Sequence, residues 1–223
     1  MLLSAFRDVD QQPDIRALIV TAAGTAFCSG FDLSAYSDAT EVDLAGRVDE
    51  FVARFSGMVD TVEAVRVPTI CAVQGGAVGG GADLALACDL LLASPRAYLA
   101  NPAATLGFHF YPNGMLRLIS RLGLPAAKRL LLAGKKLKAG ELEAMGCSTV
   151  VAERELPAEA LARTVASQSP HVTQLMKASL DAASRGRGMD QIAENYRESL
   201  RDRELWQSLG KWQRRRTKLK QGM

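Results

Sequence analysis

A chain of 223 residues can bury one sizeable core with a helical appendage, and one domain of that kind is the natural count. With 48% hydrophobic and 23% charged residues the composition is that of an ordinary globular protein, which excludes disordered and fibrous classes. A net charge of +3 is too small to argue for a polyanionic partner.

Residues 1–12 read as the end of a helix, and Arg16 to Ala22 as a buried, continuously apolar strand. Ser34 to Asp43 is polar and loop-like. Leu44, Val48, Phe51, Phe55, Val59 and Val62 then recur at helical steps, marking a long amphipathic helix that ends before Pro68. Its Phe51/Phe55 stripe is expected in the core. Thr69 to Val73 and Asp89 to Ala93 read as strands around a glycine turn and a short apolar helix, with a further short strand at Ala97 to Ala100. Helices are expected at Met115 to Leu122, Pro125 to Leu132 and Ala139 to Met145, with Met115 and Leu116 in the core. A last strand covers Ser148 to Ala152, and helices cover Pro157 to Ser167, Val172 to Ala183 and Met189 to Leu209. This order predicts an α/β core over 1–156 and a helical region over 157–223.

The most informative stretch runs from Val67 to Ser94 and contains Gly79-Gly80-Gly81-Ala82-Asp83-Leu84. Glycines at the turn into a helix leave peptide N–H groups facing outward with no side chain in the way. Such a helix start carries partial positive charge and can stabilise a developing oxyanion. Upstream, a strand runs into the loop Phe27-Cys-Ser-Gly-Phe-Asp-Leu33. Together the two segments, in this order and separation, resemble the signatures of the enoyl-CoA hydratase/isomerase, or crotonase, superfamily. The resemblance is good from Ile15 to Val151 and beyond that rests on helix pattern.

The resemblance implies a spiral of ββα units with C-terminal helices that assemble as trimers or dimers of trimers. It also implies an acyl-CoA thioester as substrate, with coenzyme A as part of that substrate and no separate cofactor or metal. The positions matching the family's oxyanion donors are the amides of Phe31 and Gly80, flanked by Ser29, Gly30, Asp32, Gly79 and Gly81. Asp83 matches the first acid/base carboxyl. The second departs: in Asn101-Pro102-Ala103 an alanine stands where the hydratases carry Glu. Hydration needs two carboxyls to orient water and move protons, so isomerase or lyase chemistry is expected instead. In the next loop His109 is a candidate base, imidazole being the side chain that titrates near neutrality. Tyr111 is a candidate donor to the acyl group, and Asn113 is a third polar group there. His171 reads as a surface residue at a helix start. Family members also carry strands before the helix at Met1, so the resemblance implies either a start upstream of this sequence or a protein without half of the coenzyme A cradle.

Cys28, Cys71, Cys88 and Cys147 sit in apolar stretches without metal-ligand spacing, and free thiols in a reducing compartment are expected. No stretch has transmembrane length, and Arg7, Asp8 and Asp10 break a secretory leader, so a cytoplasmic protein with no membrane partner is expected. The basic run 214–220 reads as a solvated tail without the aromatic platform of a nucleic-acid binder. Rossmann, P-loop and nucleophile-elbow signatures do not occur in the sequence. The rival expectation is a non-catalytic acyl-CoA binder or structural subunit that keeps the turn but lacks competent acid/base groups.

Overall fold

The computed structural model describes residues 2–32, 41–151, 157–186, 188–202, 204–205 and 207–209. The polar stretch 33–40 and the basic run 214–220 lie outside them. Two compact units divide the chain at Val165/Ala166.

The first unit opens with α1 (Leu2–Gln11), β1 (Leu18–Val20) and α2 (Glu41–Ala64), followed by β2 (Thr69–Val73), β3 (Gly76–Val78) and α3 (Gly80–Ala87). It continues through β4 (Leu90–Ala93), β5 (Tyr98–Ala100), α4 (Pro112–Leu132), β6 (Leu137–Lys138), α5 (Ala139–Ala144), β7 (Thr149–Val150) and α6 (Ala158–Ala166). A parallel sheet runs in the order β1-β2-β4-β7, with Ile70 opposite Leu90 and Leu92 opposite Thr149. Strand β2 is buried at every position, which is why it reads as a continuous apolar run rather than an alternating one. A second sheet has the order β3-β5-β6, with β3 and β5 parallel and β6 antiparallel to β5.

Strand β3 corrects the sequence expectation, which placed only a glycine turn between β2 and α3. Its small residues pair with Tyr98–Ala100, and a Cβ on Gly76 would lie 2.6 Å from the Tyr98 hydroxyl. Close approach, not propensity, selects glycine there. Helix α3 is buried at all eight positions, so a run of Gly, Ala and Leu with one carboxylate becomes the hub of the core. Val59 and Val62 of α2 and Leu118 and Leu122 of α4 belong to the same cluster. At the far end of α3, Asp89 accepts from the Thr69 amide and hydroxyl at 2.7 and 2.8 Å, closing the edge between β2 and β4.

Helix α4 breaks at Gly123, where φ is 76°, which separates the two helices expected from the sequence. Leu116 is 67% exposed, contrary to expectation, because this helix buries its Gly114/Arg117/Leu118/Leu122 face instead. Helix α6 also departs from the expected boundary. Its Ala158, Leu161, Ala162 and Val165 pack with Ile70, Ala72 and Leu92 of the parallel sheet, so it belongs with the core. All four cysteines are free, and Cys28 and Cys147 are only partly buried.

The second unit contains α7 (Pro170–Ser184) and α8 (Met189–Ser199). Buried Asn195 joins them by donating to the Ser179 hydroxyl at 2.9 Å. His171, on the first turn of α7, is half-exposed, with Nε2 3.1 Å from Glu198. Among the described residues no helix is long and apolar enough to cross a membrane.

Candidate active site

The two signature loops meet beside α3. The amides of Phe27 and Cys28 both donate to the Gly76 carbonyl, and Val78 donates back to Cys28 at 2.8 Å. A parallel bridge between Cys28 and Ala77 fixes this register. The chain then leaves β3 through Gly79, whose φ of 56° and ψ of −116° turn it into α3. A side chain at that φ is strained, so the turn requires glycine. Helix α3 therefore begins with Gly80 next to the Ser29–Phe31 loop. A Cβ on Gly80 would lie 2.7 Å from the Phe31 ring. Neither the Phe31 nor the Gly80 amide has a hydrogen-bond acceptor among the described residues.

Gly81 sets how closely the helix sits on the loop. A Cβ there would fall 2.5 Å from Cys28 Cβ and 2.7 Å from the Cys28 carbonyl oxygen. Replacing Gly81 by alanine is expected to lower stability by about 1–3 kcal/mol, because backbone must move to admit it. A denaturant melt reads this; an unchanged midpoint would mean that the loop and helix are not held at contact.

Both loops open on a cavity of about 600 Å³. Ser29, Gly30, Phe31, Gly79, Gly80, His109 and Tyr111 line it, as do Val48, Val52 and Ala53 of α2. The α2 aromatics are also more than core. Phe31 packs edge-on against Phe51 and Phe55, at centroid distances of 4.7 and 5.0 Å, and Phe51 remains 40% exposed. These rings hold the Phe31 segment over the start of α3. Sequence periodicity assigned Phe51 to the buried face but carried no sign of this contact.

His109 is exposed, and its Nδ1 lies 2.7 Å from the Phe110 carbonyl oxygen. A carbonyl only accepts, so Nδ1 carries the hydrogen, and in the neutral ring the Nε2 lone pair stays available.

Asp83 is placed differently from expectation. It is fully buried and is not among the residues lining the cavity. Arg117 Nη1 donates to both its oxygens at 2.7 and 2.8 Å, and the Tyr111 hydroxyl donates to Oδ2. Arg117 Nη2 also reaches Asp60 at 2.8 Å and Glu63 at 3.1 Å. Burial raises the Asp83 pKa, and the Arg117 charge and Tyr111 bond oppose that without cancelling it. Burial also raises the Tyr111 pKa, helped by the Asp83 charge, so the phenol keeps its proton. Burial alone would lower the Arg117 pKa, but Asp83 and Glu63 carry it above the ordinary value, so the guanidinium stays charged. This geometry makes Asp83 an anchor between α3 and α4 rather than a proton carrier facing the cavity. It also occupies the Tyr111 hydroxyl expected to meet an acyl group, leaving the ring as cavity wall. Asp32 and Gly81 likewise do not line the cavity.

Ala103 is buried, so this segment places no carboxyl where the resemblance expects one. Two further residues escaped the sequence reading. Arg117 was only a lone cation inside a helical stripe. Asn101 appeared in a quoted motif but was given no role; it is buried and lines the cavity.

Residues 1–203 match the family described as Enoyl-CoA hydratase/isomerase. A probable enoyl-CoA hydratase of Mycobacterium bovis is 36% identical over 183 residues, covering 81% of this chain and 69% of the relative. A carnitinyl-CoA dehydratase of Proteus mirabilis is 34% identical over 194 residues, covering 86% and 70%. Among solved structures, an enoyl-CoA hydratase from Bacillus anthracis superposes with a TM-score of 0.87 at 26% identity, covering 96% of this chain and 84% of that one.

Proposed function

Because the chain belongs to the enoyl-CoA hydratase/isomerase family, we propose that it processes an acyl-CoA thioester through an enolate held in a backbone oxyanion hole. One observation carries this reading: Phe31 and Gly80 line the same cavity, and among the described residues neither backbone amide has an acceptor. Two donors aimed at one thioester oxygen stabilise the charge that appears there when a proton leaves the α carbon. They are fixed in advance by the Cys28–Ala77 bridge and the Gly79 turn, so little reorganisation accompanies the reaction.

His109 is the proton carrier in this scheme. Its Nε2 takes the α proton, the C–H electron pair moves into the thioester, and the carbonyl oxygen becomes the enolate oxygen. Returning the same proton at the γ carbon of a 3-enoyl ester shifts the double bond. Departure of a β substituent with its bonding pair gives an elimination instead. One base suffices for the shift, and for an elimination whose leaving group departs as a stable anion; loss of a hydroxyl is the reverse of hydration and needs a second proton donor. Addition of water to an enoyl ester needs a group to activate water as well as a proton source. With Ala103 at the second position and Asp83 engaged by Arg117 and Tyr111, isomerase or lyase chemistry is therefore favoured over hydration.

The test is product analysis by mass spectrometry with saturated, 2-enoyl, 3-enoyl, β-substituted and malonyl-type CoA esters. Conversion of a 3-enoyl ester, or elimination from a β-substituted one, is expected, and His109→Gln should lower kcat by about 10²–10⁴-fold. Efficient hydration of 2-enoyl esters would contradict the preference. A His109→Gln enzyme of full activity would remove His109 from the scheme. A non-catalytic acyl-CoA binder is favoured by the burial of Asp83 and the Ala103 substitution, and saturable binding without any conversion would establish it.

A further inference from the structure

Asn101 follows β5, whose last residue, Ala100, accepts from the Gly79 amide at 2.8 Å. Its place in the chain is therefore one residue from the backbone that carries the oxyanion turn. The residue is 4% exposed and lines the same cavity. Its Oδ1 accepts from the Ala103 amide at 3.0 Å, which sets the orientation of the group. A flipped amide would press NH₂ against N–H, so Nδ2 is the free end. That Nδ2 is buried and has no acceptor among the described residues.

A buried amide donor without an acceptor is unfavourable in the free protein and becomes favourable when a ligand supplies the missing oxygen. We propose that Asn101 is a specificity residue whose Nδ2 donates to an oxygen on the acyl chain close to the thioester, selecting β-oxygenated acyl groups over plain hydrocarbon ones. The inference rests on the acyl-CoA reading of the cavity. Its proximity to the Gly79–Gly80 turn places the contact near the β carbon rather than at the tail of a long chain. Nδ2 is buried while its residue lines the cavity, so the contact requires a movement of the wall. The neighbouring Leu106 and Phe108, 48% and 40% exposed, provide a part of that wall with room to move.

The chemistry shared by the candidate groups is an oxygen acceptor at that position, whether a β-hydroxyl, a β-ketone or the free carboxylate of a malonyl ester. Dissociation constants measured by calorimetry for 3-hydroxybutyryl-, acetoacetyl- and malonyl-CoA, each against butyryl-CoA, distinguish these sources. At least one oxygenated ester should bind about 10- to 100-fold more tightly than butyryl-CoA. Asn101→Asp keeps an acceptor for the Ala103 amide and removes the donor. It should erase that ratio, most severely for the malonyl ester, where two carboxylates would meet. If it fails to fold by circular dichroism, Asn101→Ala removes the same donor, with loss of the Ala103 contact, and its binding ratio carries the same test. Equal binding of oxygenated and hydrocarbon esters would overturn the inference while leaving the acyl-CoA reading intact. So would an unchanged ratio in the folded variant. Failure of every thioester to bind would overturn both.

Discussion

Replacing Arg117 with methionine is expected to destabilise the protein by about 3–5 kcal/mol. The guanidinium holds three carboxylates, and their exposures decide what its removal does. Asp60 and Glu63 keep some solvent, with side chains 40% and 17% exposed, whereas Asp83 is fully buried and would retain only Tyr111. An uncompensated buried charge is the dominant penalty, not the lost attraction itself. The double change Arg117→Met with Asp83→Leu should therefore recover much of the loss, since it removes the stranded charge. Urea denaturation of the single and double variants reads both effects, and a single-variant loss below about 1 kcal/mol would show that the pair does not anchor α4 to α3. Asp83→Asn separates anchor from catalyst. It keeps the shape of the side chain, and Arg117 keeps Asp60 and Glu63, so turnover per folded molecule should persist despite a lower melting temperature. A folded Asp83→Asn protein without turnover would return Asp83 to the chemistry.

Gly80→Pro should lower kcat by about 10²–10³-fold relative to Gly80→Ala. Position 80 is the first residue of α3, where proline is tolerated because that N–H has no partner within the helix. Both variants add a Cβ that would lie 2.7 Å from the Phe31 ring and 2.8 Å from the Phe55 ring, so both must displace those rings. Only proline removes the donor. The ratio between the two folded variants therefore isolates the amide from the crowding. Equal activities would mean that the Gly80 N–H does not meet the reacting oxygen.

The parallel sheet was legible in the chain because burial on both faces leaves a direct trace. Thr69 to Val73 is apolar without alternation, and its strand bounds agree with expectation. Strand β3 left no such trace. Gly76 and Ala77 were chosen by the approach of Tyr98 and of the Cys28 loop, contacts that arise only once distant segments meet. The turn into α3 was readable because Gly79 takes a left-handed backbone that glycine marks in the sequence. The fate of Asp83 was not. Its place three residues past Gly80 puts it on the same side of the helix, but its partners lie 28 and 34 residues away on and before α4, where the sequence offers Tyr111 as an acyl contact and gives Arg117 no role. A carboxylate's role is set by who reaches it first, and that is tertiary information. Asn101 was hidden for the related reason that an unmet hydrogen bond has no sequence signature.

Incubating butyryl-CoA and 3-hydroxybutyryl-CoA with the protein in heavy water, and reading the α carbon by mass spectrometry, tests the oxyanion hole most directly. An enolate held by the Phe31 and Gly80 amides exchanges the α proton, so at least one ester should gain deuterium at that carbon well above a buffer control. Saturable binding of both esters with no deuterium gained would contradict it, leaving a pocket that holds thioesters without ionising them.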